Sequence, residues 1–205
     1  MLRAAMIVLL SASLLAVPQA EGLDGADRYD KLFAKYTKRI FGPGFDWRYF
    51  KAQALAESAM RAEARSPKGA LGIMQLMPGT FEEVVRENPW IEGDIHDPEW
   101  NIAAGICYNR SLWRIWDGER PFEERLSFMF GAYNAGKGTI LEAQEIALQQ
   151  GLNARSWSAV EKTLHRVIGS GGGQIIAYVN RVHSIHSRLG PTLARETHRE
   201  GTPET

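Results

Sequence analysis

The sequence predicts a mainly α-helical domain, and three observations carry that expectation. Apolar residues recur at spacings of three and four along most of the chain, as in Tyr29, Leu32, Phe33, Tyr36 and Ile40. No stretch alternates apolar and polar residues at the period of a strand, and no internal repeat of useful length stands out. Gly and Pro cluster between the periodic segments, where turns are needed. The 205 residues suit one domain with a sizeable core. A content of 44% apolar and 10% aromatic residues fits a packed globule. Basic and acidic residues both number 24, so no basic field argues for nucleic acid as a partner.

Residues 1–22 read as a secretory signal. Arg3 gives the positive end, Ala4 to Val17 is apolar apart from Ser11 and Ser13, and small residues follow at Ala16, Ala20 and Gly22. The run is shorter than the ~20 apolar residues of a membrane span. An uncleaved anchor is the competing reading. The expected destination is the periplasm, or the extracellular space, with no stable membrane insertion once the signal is removed. Cys107 is the only cysteine, so no internal disulfide is available; in its helical apolar setting it reads as core filler.

The domain is expected over residues 23–190. Its first helix carries Tyr29 to Ile40 and ends at Gly42-Pro43-Gly44. The second starts near Asp46, an N-cap residue, and runs to about Arg61, with Glu57 in its last turns. A short helix follows over Pro78 to Glu87, with Phe81, Val84 and Val85 inward. Residues 88–98 read as a loop. Its Glu92, Asp94, His96 and Asp97 match no strong metal motif, and Asp97 before Pro98 is better read as a helix start. No metal or organic cofactor is expected. Residues 98–117 form a long helix whose Trp100, Trp113 and Trp116 read as a core stripe rather than as sugar platforms. Phe122 to Phe130 is helical and runs into the Gly-rich stretch Gly131 to Gly138; Tyr133 and Asn134 sit where a helix meets a Gly-rich loop, and Tyr-Asn-Ala-Gly read alone is a helix end. Thr139 to Gln150 and Ser156 to Ile168 are helical too, the latter capped by Ser156 or by a box of Ser158 with Glu161. Gly169 to Gly173 reads as a flexible break, without the order of a phosphate loop. A last helix from Gln174 stops at Gly190-Pro191. Residues 191–205 read as a disordered tail.

The chemistry concentrates at Glu57-Ser58 and at the stretch Ser66-Pro-x-Gly-Ala-x-Gly72-Ile-Met-Gln75-Leu-Met77-Pro78-x-Thr80. A carboxylate among Ala, Leu and Met holds its proton tightly, because desolvation disfavours the charged form. That suits a general acid near neutral pH. Together with Asp97-Pro98-x-x-Asn101, Ala132-Tyr133-Asn134-Ala135-Gly136 and the Tyr178-Val179 segment, this pattern resembles the lytic transglycosylases of goose-lysozyme-like fold. The likeness is to the soluble lytic transglycosylase type and to the catalytic domain of membrane-bound lytic transglycosylase F. It departs from the family's final motif at Gln174 and Ile175, where Glu-Thr is usual.

The resemblance implies a helical lysozyme-like domain with a substrate groove for peptidoglycan glycan strands. It implies that Glu57 is the catalytic acid, that Ser66, Gln75 and Met77 line the sugar sites, and that Tyr133, Asn134 and Tyr178 hold the acid and the sugar. It implies non-hydrolytic cleavage of the β-1,4 bond between N-acetylmuramic acid and N-acetylglucosamine, giving a 1,6-anhydro end. Two readings compete. One is a hydrolytic muramidase in which Glu82, Asp94 or Asp97 activates water. The other is a non-catalytic wall-binding or assembly protein. A wall-spanning secretion or flagellar machine is compatible as a partner.

Overall fold

The computed structural model describes residues 26–190; the signal assigned to residues 1–22 and the tail assigned to 191–205 lie outside the described residues. Eight α-helices make up these described residues: α1 Asp30–Phe41, α2 Arg48–Ser58, α3 Pro78–Glu87, α4 Pro98–Ile115, α5 Phe122–Ala135, α6 Lys137–Gln149, α7 Trp157–Ile168 and α8 Gly172–Arg188. The mainly α expectation is met. The only ladder contacts among them are the isolated bridges Arg65–Leu71 and Leu71–Leu76.

α4 and α5 run through the core, and the other helices wrap around them. α1 and α3 pack on α4, α8 packs on α2 and α5, and α6 and α7 pair with each other. The apolar stripes read from the sequence point inward: Phe33, Phe50, Ile102, Ile106, Leu126 and Phe130 are wholly buried. Trp113 and Trp116 are buried as well, as a core stripe requires. Cys107 is buried too, and burial pushes its thiol up to about 12.

Helix ends explain where the sequence reading shifts. Asp46 accepts the Arg48 amide at 3.0 Å just ahead of α2, but the residue at the helix start is Trp47, one position later than expected, and it makes no side-chain cap bond. α2 stops at Ser58 and not near Arg61, because Ala59 and Met60 turn left-handed with φ of 54° and 64°. Asp97 caps α4 as expected, accepting from the Glu99 amide at 2.8 Å. α5 continues past Phe130 to Ala135, so Tyr133 and Asn134 lie in its last turn, and the helix end expected at Tyr-Asn-Ala-Gly falls at Gly136, with φ of 84°. Gly131 stays helical because the Trp157 ring packs against it; a Cβ there would sit 2.3 Å from Trp157 Cη2. Neither capping scheme foreseen for α7 forms. Ser156 makes no cap bond, and the Trp157 amide instead donates to Glu124 of α5. The flexible break is absent as well. Gly169–Gly171 form one 3-10 turn, and α8 begins at Gly172, packed so closely on α7 that a Cβ would lie 3.0 Å from the His165 nitrogen.

Candidate active site

The segment from Arg61 to Met77 has no regular structure, so its backbone groups need partners from outside it. Ser66 and Ala70 close its first turn: Ser66 N donates to Ala70 O at 2.9 Å, and Ala70 N donates to Ser66 Oγ at 2.9 Å. Leu71 and Leu76 exchange two backbone bonds of 2.9 and 3.0 Å. Asn101, buried on α4, clamps the tip. Its Oδ1 accepts from Met74 N at 2.8 Å, and its Nδ2 donates to Leu71 O at 3.1 Å and Ile95 O at 2.9 Å. Gly72 has φ of +76° and faces this amide; a Cβ would stand 2.4 Å from Asn101 Nδ2. Two further hydroxyls tie down the loop, Ser58 Oγ donating to Ile73 O at 2.8 Å and Tyr133 Oη to Met74 O at 2.7 Å.

Glu57 emerges from the last turn of α2 beside this wall. Tyr178 Oη on α8 donates to Glu57 Oε1 at 2.5 Å. Behind it lies a buried row of amides: Gln53 Nε2 donates to Tyr178 Oη at 3.3 Å, and Asn109 Nδ2 donates to Gln53 Oε1 at 2.7 Å. The Tyr178 oxygen accepts from Gln53, so its own proton is directed at Glu57. Glu57 Oε2 has no hydrogen-bond partner in the protein and is not among the sealed, unpartnered polar atoms, so it stays reachable from outside. Burial pushes the Glu57 carboxyl from an ordinary 4.5 up to about 7, against the lowering effects of the Tyr178 hydroxyl and the Arg181 charge. No second carboxylate is among the groups that act on it. Burial, and then the Glu57 charge, raise Tyr133 and Tyr178 well above the usual phenol range, so both remain neutral donors.

The remaining sequence-named residues divide by what they touch. Tyr133 is buried next to Glu57 in electrostatic terms, but its proton goes to Met74. Gln75 has φ of 48°, and its amide nitrogen donates to Ala64 O and Gly72 O at 3.1 and 2.8 Å, so it builds the loop from within. Ser66 uses its oxygen in the first turn and keeps its proton for another acceptor. Met77 is the half-buried residue that leads into α3. Asn134 is buried yet makes no hydrogen bond within the protein, which leaves its amide available. Glu82, Asp94 and Asp97 are exposed, with Asp94 and Asp97 bonded to the His96 and Glu99 amides.

Asn101, named from its motif, serves as scaffold, whereas the parts played by Gln53, Asn109 and Arg181 escaped the sequence reading. A signal existed for two of them. Asn109 falls on the stripe of Ile102, Ile106 and Trp113, and Gln53 lies one turn from Phe50 and from Glu57. A polar side chain in register with a buried stripe announces a buried hydrogen bond.

Comparison with known proteins identifies the family. Residues 36–154 match the model of the transglycosylase SLT domain family. A membrane-bound lytic murein transglycosylase F from Shewanella pealeana is 33% identical over 137 residues, covering 67% of this chain and 26% of the relative. The 70 kDa soluble lytic transglycosylase from Escherichia coli superimposes with a TM-score of 0.62 at 24% identity, over 82% of this chain and 26% of that one. The lytic transglycosylase Slt from Pseudomonas aeruginosa, solved as an inactive glutamate-to-glutamine mutant, gives 0.64 at 23% identity over 80% and 24%. This chain therefore spans about a quarter of the length of these relatives. The fold is the helical, lysozyme-like one of this group. Tyr178 lies beyond the segment that the family model matches, yet the fold returns it to Glu57.

Proposed function

This chain belongs to the transglycosylase SLT domain family, and from that premise we propose that it is a peptidoglycan lytic transglycosylase with Glu57 as its acid and base. The observation that carries the proposal is a reachable carboxyl, raised by burial to about 7, held by Tyr178 and accompanied by no second carboxylate. Hydrolytic glycosidases ordinarily need a pair of carboxyl groups, one of them serving as nucleophile or as base for water. One group suffices if the substrate supplies its own nucleophile.

In the proposed cycle Glu57 protonates the oxygen that bridges the muramic sugar to N-acetylglucosamine, and the C1–O4 bond breaks. The ionised Glu57 then takes the proton of the same sugar's C6 hydroxyl. O6 bonds to C1, closing the 1,6-anhydro ring and returning the proton to Glu57. Atoms balance without water. Tyr178, fixed by Gln53, steadies the carboxylate midway through the cycle. Asn134, with its free amide, and Ser66, with its free proton, are the sugar-holding groups that the geometry favours. The cell wall of the periplasm is the corresponding location, and among the described residues no helix is long and apolar enough to cross a membrane.

Mass analysis of a digest of purified sacculi tests the proposal. Anhydro-ended products, one water lighter than the hydrolytic ones and resistant to borohydride reduction, are expected. Reducing ends would replace it with the muramidase reading. Glu57→Gln is expected to release no soluble product while keeping the circular dichroism of the wild type.

A further inference from the structure

A second site lies on the side of the molecule built by α1, the end of α3 and α4. A cavity of about 290 Å³ is lined there by Arg39, Trp90, Cys107, Arg110 and Arg114, with Glu87 at its edge. It shares no residue with the Glu57 site. Its charge is unusual for a chain with no net charge: three guanidinium groups against one carboxylate leave an excess of two positive charges. None of the three arginines forms an ion pair or a hydrogen bond within the protein, and Glu87 pairs with none of them.

Each arginine is held without being neutralised. Arg39 lies over the Trp90 ring, 3.9 Å from its centroid, and Trp90 in turn stacks on Tyr36 at 5.8 Å. Arg110 stands over Phe41 at 5.1 Å, and its Nε is sealed from solvent with no acceptor. Arg110 and Arg114 are four residues apart on α4, a spacing at which like charges repel. Burial, and then the Arg114 charge, depress Arg110. A sealed N–H donor without an acceptor is a cost that folded proteins rarely carry. An oxyanion between the guanidinium groups would offset the repulsion through their remaining N–H groups, because guanidinium groups bind phosphate through paired N–H bonds.

We propose that this cavity is a binding site for a small phosphate-bearing ligand, held by Arg39, Arg110 and Arg114 and flanked by the Trp90 ring. The surplus of two charges matches a phosphate monoester, which carries about −1.5 to −2 near neutral pH. The volume sits at the lower end of ligand pockets, roughly 300–1,000 Å³, so a phosphate with a short substituent fits and a long polymer does not. The site does not depend on the activity proposed for Glu57.

The test is an NMR titration of the full chain with its arginines labelled with nitrogen-15, using inorganic phosphate and glycerol phosphate as separate probes and acetate at matched ionic strength as the control. Saturable movement of the Arg110 Nε–H signal with either phosphate is expected. A stronger response to glycerol phosphate would identify an organic monoester, and an equal one free phosphate. Arg114→Gln, at an exposed position that leaves the fold intact, is expected to weaken binding roughly tenfold, the scale of one charge-assisted bond. Arg110→Met should abolish the saturable phosphate shifts of the Arg39 and Arg114 side-chain signals. The proposal is overturned if acetate moves the signal as phosphate does, if the shift grows linearly without saturation, or if Arg114→Gln leaves the affinity unchanged.

Discussion

Replacing Glu57 with Gln is expected to stabilise the protein above neutral pH and to leave its stability nearly unchanged at pH 4.5. Burial raises this carboxyl from 4.5 to about 7. The folded state therefore holds a proton that the unfolded chain has already released between those values. Stability falls as pH climbs through that window and levels off above it. A rise of about two and a half pH units at 1.36 kcal/mol each corresponds to roughly 3 kcal/mol at pH 8, as an upper figure. Gln never ionises, and its carbonyl oxygen still accepts from Tyr178, so the variant avoids the loss. For a domain of this size 1 kcal/mol moves Tm by about 2–4 °C, so the variant should melt about 6–12 °C higher at pH 8. Thermal unfolding of both proteins from pH 4.5 to pH 8.5 is the assay. A Tm difference that does not vary with pH, or a variant less stable than wild type at pH 8, would show that Glu57 is not the enclosed titrating group described here.

Other substitutions read out the same site. Tyr178→Phe removes the donor that lowers Glu57, so the alkaline limb of wall-lytic activity should move up by about 1 pH unit while kcat drops. An unmoved limb would mean that the bond does not act on the acid. Arg181→Met removes the other group that holds Glu57 down, and should displace the limb in the same direction by less, with an effect that fades in high salt. A limb displaced to lower pH would reverse the assigned sign. Gly72→Ala combines a φ of +76° with a Cβ 2.4 Å from Asn101 Nδ2. It should cost about 2–4 kcal/mol in urea unfolding and lower activity, and a loss below about 1 kcal/mol would show that the clamp yields freely.

What the sequence disclosed, and what it concealed, follows from the range of the interactions. The helices were legible because each carries its own apolar stripe. Asp97 was legible as a start, and Asp46 as lying within one residue of one, because each bonds to an amide only two residues away. The need for Gly131 within α5 was not legible, because what fills its missing side chain is a tryptophan 26 positions further on. Glu57 stood out through its motif, yet what fixes its oxygen is a phenol on α8, 121 residues distant. Gln75 shows the opposite case. The motif singles it out as a sugar-lining residue, but its amide nitrogen holds the loop together, which only the folded chain discloses.

The composition of the site has a physical reason beyond its geometry. If one group is to give a proton and later take one back, neither of its states should lie far below the other at the working pH. A carboxyl at 4.5 would need about 3 kcal/mol to be protonated at pH 7, whereas one near 7 holds or releases its proton at almost equal free energy. Burial achieves that balance here, but a buried acid is easily disturbed by other titrating groups. The surroundings avoid this. Tyr133 and Tyr178 are raised so far that they do not ionise near neutrality, and Gln53, Asn101 and Asn109 are amides. Arg181 supplies a nearby positive charge that lowers Glu57. Glu57 is then the one nearby group whose charge changes, and the phenol and amides around it hold the same orientation in both of its states. A neutral wall of this kind is what separates a carboxyl that can work alone from one that needs a partner.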